Sequence, residues 1–163
     1  LLDLQKKYSF KCITLLILVL TNLFGFSVNS EIVKGKWEFI KDIEYCFIQS
    51  APIKTIIPEG KSRGENYILV YKMHKSPELI IQISAGFDYK TSKSVKVKID
   101  NIDYNFYADE DTAWANKDKK VINAMKKGLD LITTGISSKN TEVIDTYTLK
   151  GFTAAFNKLS SDC

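Results

Sequence analysis

Few side chains in this sequence could carry chemistry, and they do not form a familiar catalytic pattern. The only histidine, His74, lies in the polar turn of residues 73–77. A serine, histidine and aspartate triad would have to use this residue, but no nucleophile elbow accompanies it. Two well-separated cysteines, Cys46 and Cys163, do not complete a zinc-binding pattern with it. We therefore predict that His74 is a solvated turn residue.

Two other segments invite a functional interpretation. Gly60-Lys61-Ser62 resembles the end of a phosphate-binding loop, but Thr55 stands where that motif needs a glycine, and a strand is predicted to follow instead of a helix. Asp109-Glu110-Asp111 lacks the alternation and the glycine of an EF-hand loop, so a solvated acidic turn is predicted. The sequence thus predicts no catalytic residue, no cofactor and no metal ligand. A catalytic pair of carboxylates that come together only in the folded chain remains an alternative.

The first thirty residues have the pattern of an export signal. A basic stretch, 5–11, precedes an apolar run, 12–26, and residues 27–30 end in small side chains at the expected cleavage positions. The uninterrupted apolar core, 13–20, is well short of the ~20 residues that span a bilayer. We predict a signal peptide at 1–30 and a single domain at 31–163 that is periplasmic or secreted. It would touch the membrane only transiently, and a retained anchor is the weaker alternative.

Export also changes the charge and the cysteine count. Removing Lys6, Lys7, Lys11 and Asp3 lowers the formal net charge from +4 to +2, which does not indicate a nucleic-acid binder. Cys12, one of three cysteines, leaves with the signal.

The two remaining cysteines are expected to pair. An even number of cysteines in an oxidising compartment favours a disulfide, here between Cys46 and Cys163. The chain-entropy model gives about 4–5 kcal/mol for closing the long loop 46–163, before any native strain is subtracted. Two free thiols are the alternative.

The remaining sequence alternates in the way that strands do. Val95, Val97 and Ile99 alternate with charged residues, the clearest half-buried strand. Further strand patterns cover 36–41, 45–49, 67–73, 78–84, 104–107, 129–134 and 142–149, with a long loop at 52–64. This spacing predicts a mainly β fold, an antiparallel sandwich or barrel. Helical spacing predicts two short helices, at about 118–127 and 151–160.

The segment Tyr147-Thr148-Leu149-Lys150-Gly151-Phe152-Thr153-Ala154-Ala155-Phe156 resembles the C-terminal signature of the invasion-associated locus B family, exported proteins of alphaproteobacteria. An early tryptophan, Trp37, and the strand 46–49 agree with the family layout, and 124–128 falls where the family has a helix. The resemblance implies an immunoglobulin-like β-sandwich and no established chemistry. Cysteines that family members carry after the tryptophan and in mid-chain are missing here, so their disulfide pattern is not transferred.

These observations favour a non-catalytic, envelope-associated β-sandwich that binds an envelope component or a small ligand, neither of which the sequence identifies. One alternative is a secreted hydrolase whose carboxylates meet only in the fold. The other is a structural envelope protein that acts by oligomerisation.

The predicted disulfide can be tested by thiol labelling of the exported protein without reductant. We expect no labelled cysteine, because Cys12 is removed with the signal and the other two are bonded to each other. Labelling of both Cys46 and Cys163 would show that the domain has no such bridge.

Overall fold

Ten antiparallel strands and two helices make up residues 32–163, the part of the chain that the computed structural model describes. The predicted signal peptide and Cys12 lie outside these residues. The strands are β1 Glu38–Lys41, β2 Tyr45–Ser50, β3 Lys54–Ile56, β4 Tyr67–Met73, β5 Leu79–Ser84, β6 Val95–Ile99, β7 Ile102–Asp109, β8 Thr112–Ala115, β9 Asp130–Ile136 and β10 Glu142–Thr148. The helices are α1 Asp118–Met125 and α2 Phe152–Asp162.

All ten strands belong to one sheet, in the order β1-β2-β4-β5-β8-β7-β6-β9-β10-β3. β2 lies next to one edge of this sheet and β3 forms the other edge, although only residues 51–53 separate them in sequence. So short a connection spans no more than about 14 Å. The sheet must therefore curl until its first and last strands approach each other.

Backbone and side-chain hydrogen bonds hold this closure. The Ile53 N–H donates to the Thr146 carbonyl of β10 at 2.8 Å, and the Gly35 N–H donates to the Ala51 carbonyl at 3.1 Å. The indole Nε1–H of Trp37, just before β1, donates to the carbonyl of Thr148 at 2.9 Å. The beginning of the described chain is thereby fastened to the last strand.

The core lies inside the curl and under the helices. On β6, Val95, Val97 and Ile99 are buried and the lysines between them are exposed, as the alternation predicts. Helix α2 buries Phe152, Ala155, Phe156 and Leu159 and packs on β1 and β2. The Phe152 ring meets Trp37 edge-on, with 4.8 Å between ring centroids.

The predicted mainly β, antiparallel fold with two short helices is confirmed. Its strands form one curled, sandwich-like sheet. The second helix begins at Phe152 and not at residue 151 because Gly151 adopts a left-handed conformation at its N-terminus. Two short strands were not predicted: β3, inside the loop 52–64, and β8, which follows the acidic turn. Both are too short to show a period, and tertiary pairing defines them.

The structure joins Cys46 and Cys163 in a disulfide, with 5.9 Å between their Cα atoms. This separation is usual for a disulfide. The bond ties the residue after α2 to β2, the strand next to one edge of the sheet.

Gly86 provides a test of packing beside the sheet. It has a φ of +69°, and a Cβ atom there would overlap the Gly64 carbonyl oxygen and lie 2.8 Å from the Glu65 carbonyl oxygen. We expect Gly86→Ala to lower the free energy of unfolding by about 3 kcal/mol or more, because backbone strain and a backbone clash add. Urea unfolding measures this loss.

Gly60→Ala is the matched control for that variant. Gly60 has a φ of +73°, but no atom of the described residues lies within 4 Å of its added Cβ. Gly60→Ala should therefore lower the free energy of unfolding by only about 1 kcal/mol, because it adds backbone strain without a clash. Equal losses in the two variants would show that the contact with Gly64 is unimportant.

Candidate functional site

A groove of about 1020 Å³ lies between α1, the start of β5 and α2. Its charged rim has four lysines, Lys117, Lys119, Lys120 and Lys126. Its apolar floor includes Leu79, Ile80, Ile122 and Phe156. The last two of these side chains are buried members of the core.

The amphipathic character of α1 creates this combination. Val121, Ile122 and Met125 point into the core, so the lysines before and after them are left exposed at the surface. Lys126 Nζ lies 3.6 Å from the centroid of the Phe156 ring, a cation–π contact between the two helices. The rim and the floor of the groove therefore meet at this pair.

Acidic residues only partly offset the rim charge. Glu78 and Asp118 also line the groove. One carboxylate oxygen of Asp118 accepts the backbone N–H of Ile81 at 2.7 Å, which fastens α1 to β5. Four lysines against two acids, one of them bonded to the backbone, leave the groove electropositive. It can hold an anion over an apolar surface, and no nucleophile with an adjacent base lines it.

The backbone of the acidic turn, residues 109–111, is hydrogen-bonded to the segment that follows β5. The carbonyl of Glu110 accepts the Tyr89 N–H at 2.8 Å, and that of Asp111 accepts the Ala85 N–H at 3.0 Å. The segment Gly60-Lys61-Ser62 lies in the loop before strand β4, not before a helix. The acidic turn thus joins the segment 85–89 to the sheet through backbone carbonyls.

His74 lies beside the disulfide, a position that the sequence did not predict. Its Nδ1 is 3.6 Å from Cys163 Sγ and 3.9 Å from Cys46 Sγ, so the imidazole faces the disulfide. His74 lies in a turn, as predicted, but its side chain is half-buried and not fully solvated. The reason is register: Cys46 of β2 pairs with Lys72 of β4, so His74, two residues farther along, is its diagonal neighbour.

Within residues 32–163, Cys46, His74 and Cys163 are the only three His, Cys, Asp or Glu side chains that could hold a metal ion together. Their ligand atoms all lie within 4.8 Å of one another. Among the same described residues, no helix has the length and apolarity to cross a bilayer.

A buried ion pair lies beside the closure of the sheet. Arg63 donates to both carboxylate oxygens of Asp145 on β10, with Nη1 2.7 Å from Oδ2. It also donates to the Ala85 carbonyl at 3.1 Å and to the Thr55 hydroxyl of β3 at 2.9 Å. That hydroxyl donates in turn to Asp145 Oδ1 at 2.6 Å. Side-chain exposure is 8% for Arg63 and 7% for Asp145, so the charges are compensated almost wholly within the protein.

The pKa values of two tyrosines near this ion pair are strongly raised. Burial, followed by the negative charge of Asp145, raises the pKa of Tyr147 well above its ordinary value. The same two causes, in the same order, raise the pKa of Tyr89. The hydroxyl of Tyr147 is buried and has no hydrogen-bond partner among residues 32–163. Both tyrosine hydroxyls therefore stay protonated at physiological pH.

Comparisons with known proteins agree with this architecture. A family model described as "Invasion associated locus B (IalB) protein" matches residues 50–160. Among solved structures, the crystal structure of invasion associated protein b from Bartonella henselae is similar, with a TM-score of 0.57 and 17% sequence identity. That match covers 78% of this chain and 94% of the other, and at this identity it shows a shared fold alone. No curated protein matches the chain.

The raised tyrosine pKa values predict a loss of stability at alkaline pH. Between the ordinary pKa of about 10 and the higher folded value, the unfolded chain loses a proton that the folded chain keeps. The free energy of unfolding is therefore expected to fall as pH rises above about 10. Each such tyrosine contributes up to about 1.4 kcal/mol per pH unit.

Tyr147→Phe should remove one such contribution and reduce the slope of the alkaline loss. At pH 7 the variant should be as stable as the parent or more stable by about 1 kcal/mol, because the lost hydroxyl has no partner. Urea unfolding from pH 7 to pH 11 measures both effects. An unchanged slope, or a large loss at pH 7, would contradict this assignment.

Proposed function

The chain belongs to the invasion associated locus B family, and we propose that it is an exported, non-catalytic protein that binds an anionic amphiphile of the cell envelope. Family membership confirms the resemblance predicted from residues 147–156, which lie within the matched segment. Export rests on the signal-peptide pattern of residues 1–30. The ligand class rests on the groove.

One observation carries the proposal: four lysines line the rim of the groove above its apolar floor. A purely ionic ligand would not need the surface of Leu79, Ile80 and Phe156. A purely apolar ligand would gain nothing from the lysines. A molecule with an anionic head and a hydrocarbon body uses both, because hydrocarbon that covers the floor is withdrawn from water while its head meets the cationic rim.

The flexible lysine side chains suit a head group of variable shape. An ammonium is a compact charge on a flexible stem, in contrast to the rigid fork of an arginine, so it does not impose one geometry on a phosphate or carboxylate. The chain's single arginine, Arg63, is committed to Asp145. The groove is therefore expected to select for charge and amphipathic shape more than for a particular head group.

The absence of catalysis is part of the proposal. The described groove offers lysines, an asparagine and two carboxylates, one of which accepts a backbone N–H of β5. His74 lies beside the disulfide and does not line the groove. A binding role accounts for the groove without a nucleophile or a positioned base.

A matched pair of lysophospholipids tests the ligand class. We expect the full chain to bind lysophosphatidylglycerol, which is anionic, about tenfold or more tightly than lysophosphatidylcholine with the same acyl chain. The difference should shrink at high salt, because exposed charges are screened. Isothermal titration calorimetry, with each lipid kept below its critical micelle concentration, gives both affinities.

Lys119→Glu with Lys126→Glu should weaken binding of the anionic lipid about tenfold, since about 1.4 kcal/mol corresponds to that factor. Lys96→Glu with Lys98→Glu is the control, because it makes the same change in net charge on β6, outside the groove. Equal affinity for the two lipids, or an equal effect of the two double variants, would refute the proposal.

A further inference from the structure

The cluster of Cys46, His74 and Cys163 is independent of the groove and of the function proposed for it. Three different parts of the fold bring it together: β2, the turn after β4, and the end of α2. Cys46 is fully buried, while the other two side chains are half-buried. The cluster is therefore fixed from the core side and open to solvent on the other.

Hydrogen bonds fix the imidazole in one orientation. Nε2 of His74 lies 2.9 Å from the carbonyl oxygen of Asp42, and a carbonyl can only accept, so Nε2 carries the proton. The backbone N–H of His74 also donates to the Glu44 carbonyl at 3.1 Å. Both bonds attach the histidine to the turn between β1 and β2.

This tautomer leaves the lone pair of Nδ1 facing the two sulfur atoms. A disulfide has no S–H, so it offers that lone pair no donor. A histidine that donates one ring N–H to a backbone carbonyl and directs the other nitrogen at ligand atoms has the arrangement typical of metal-ligating histidines.

We propose that reduction of the disulfide converts this cluster into a zinc(II) site, with Cys46 Sγ, Cys163 Sγ and His74 Nδ1 as ligands. A dithiol reductant supplies two electrons and two protons and itself becomes a disulfide, and the S–S bond of the protein becomes two thiols. Each thiol then releases a proton as its sulfur binds the cation. A water molecule completes the tetrahedron on the open side.

The distances fit such a site with little rearrangement. Tetrahedral zinc, with Zn–S of about 2.3 Å and Zn–N of about 2.0 Å, places its nitrogen and sulfur ligands about 3.6 Å apart. The observed Nδ1 to Sγ distances are 3.6 and 3.9 Å. Only the sulfurs must separate, from bonding distance to about 3.8 Å.

Zinc is the cation that this donor set favours. Thiolate ligands select soft or borderline cations, and imidazole suits zinc as well. Three protein ligands with one open position are the pattern of zinc sites that keep a bound water.

The test uses the full chain with Cys12→Ser in every variant, so that only two thiols and one histidine remain. Zinc affinity is measured by competition with a chromophoric chelator. The oxidised protein is compared with protein that has been reduced with a phosphine, after the phosphine has been removed. We expect one zinc ion per reduced chain, bound at least 100-fold more tightly than by the oxidised chain. Cobalt(II), the spectroscopic substitute, should give thiolate charge-transfer bands and ligand-field bands of tetrahedral intensity.

His74→Ala, reduced in the same way, should lose at least tenfold in zinc affinity and the tetrahedral bands. Unchanged affinity would mean that two thiolates hold the metal without the imidazole, and would overturn the site. An oxidised chain that binds zinc as tightly as the reduced one would overturn it equally.

Loss of the disulfide also lowers the stability of the fold. A second measurement therefore distinguishes zinc binding by the folded chain from zinc binding by unfolded chains. Zinc should raise the midpoint of thermal unfolding of the reduced parent, or restore its fold, and should do neither for reduced His74→Ala. Zinc bound by unfolded chains would leave the midpoint of both proteins unchanged, and this result would refute the proposal.

Discussion

The short connection between β2 and β3 is the constraint on which the rest of the structure depends. Three residues, 51–53, carry the chain from one side of the sheet to its opposite edge. A flat sheet of ten strands at about 4.8 Å spacing would separate those edges by about 40 Å, and three residues cannot cross that distance. The sheet therefore curls, and the interior of the curl becomes the core.

Closure also buries two charged side chains, and neighbouring polar groups compensate them. Thr55 of β3, Arg63 of the following loop and Asp145 of β10 meet where the edges approach and satisfy one another. A buried ion pair of this kind adds little net stability compared with apolar packing, but removal of one partner leaves an uncompensated charge and costs several kcal/mol. The pair therefore ties the loop before β4 to β10 through two charges that depend on each other.

The two surfaces that carry functional proposals both depend on where the helices pack. Helix α1 presents its lysines beside the apolar end of β5 because its other face is buried in the core. Helix α2 contributes Phe156 to the groove floor, and at its other end it brings Cys163 to β2 and His74. One short helix thus supports two unrelated sites.

The sequence by itself determined the mainly β class, most strands, both helices and the pair of cysteines available for a bridge, because alternation, helical spacing and turn residues are local signals. It also carried the family resemblance, in residues 147–156. It could not reveal β3 or β8, whose few residues have no period of their own. Nor could it reveal the groove, the Arg63–Asp145 pair or the place of His74. Those depend on strand register and on sheet closure, which join residues far apart in the chain, and only the tertiary structure decides them.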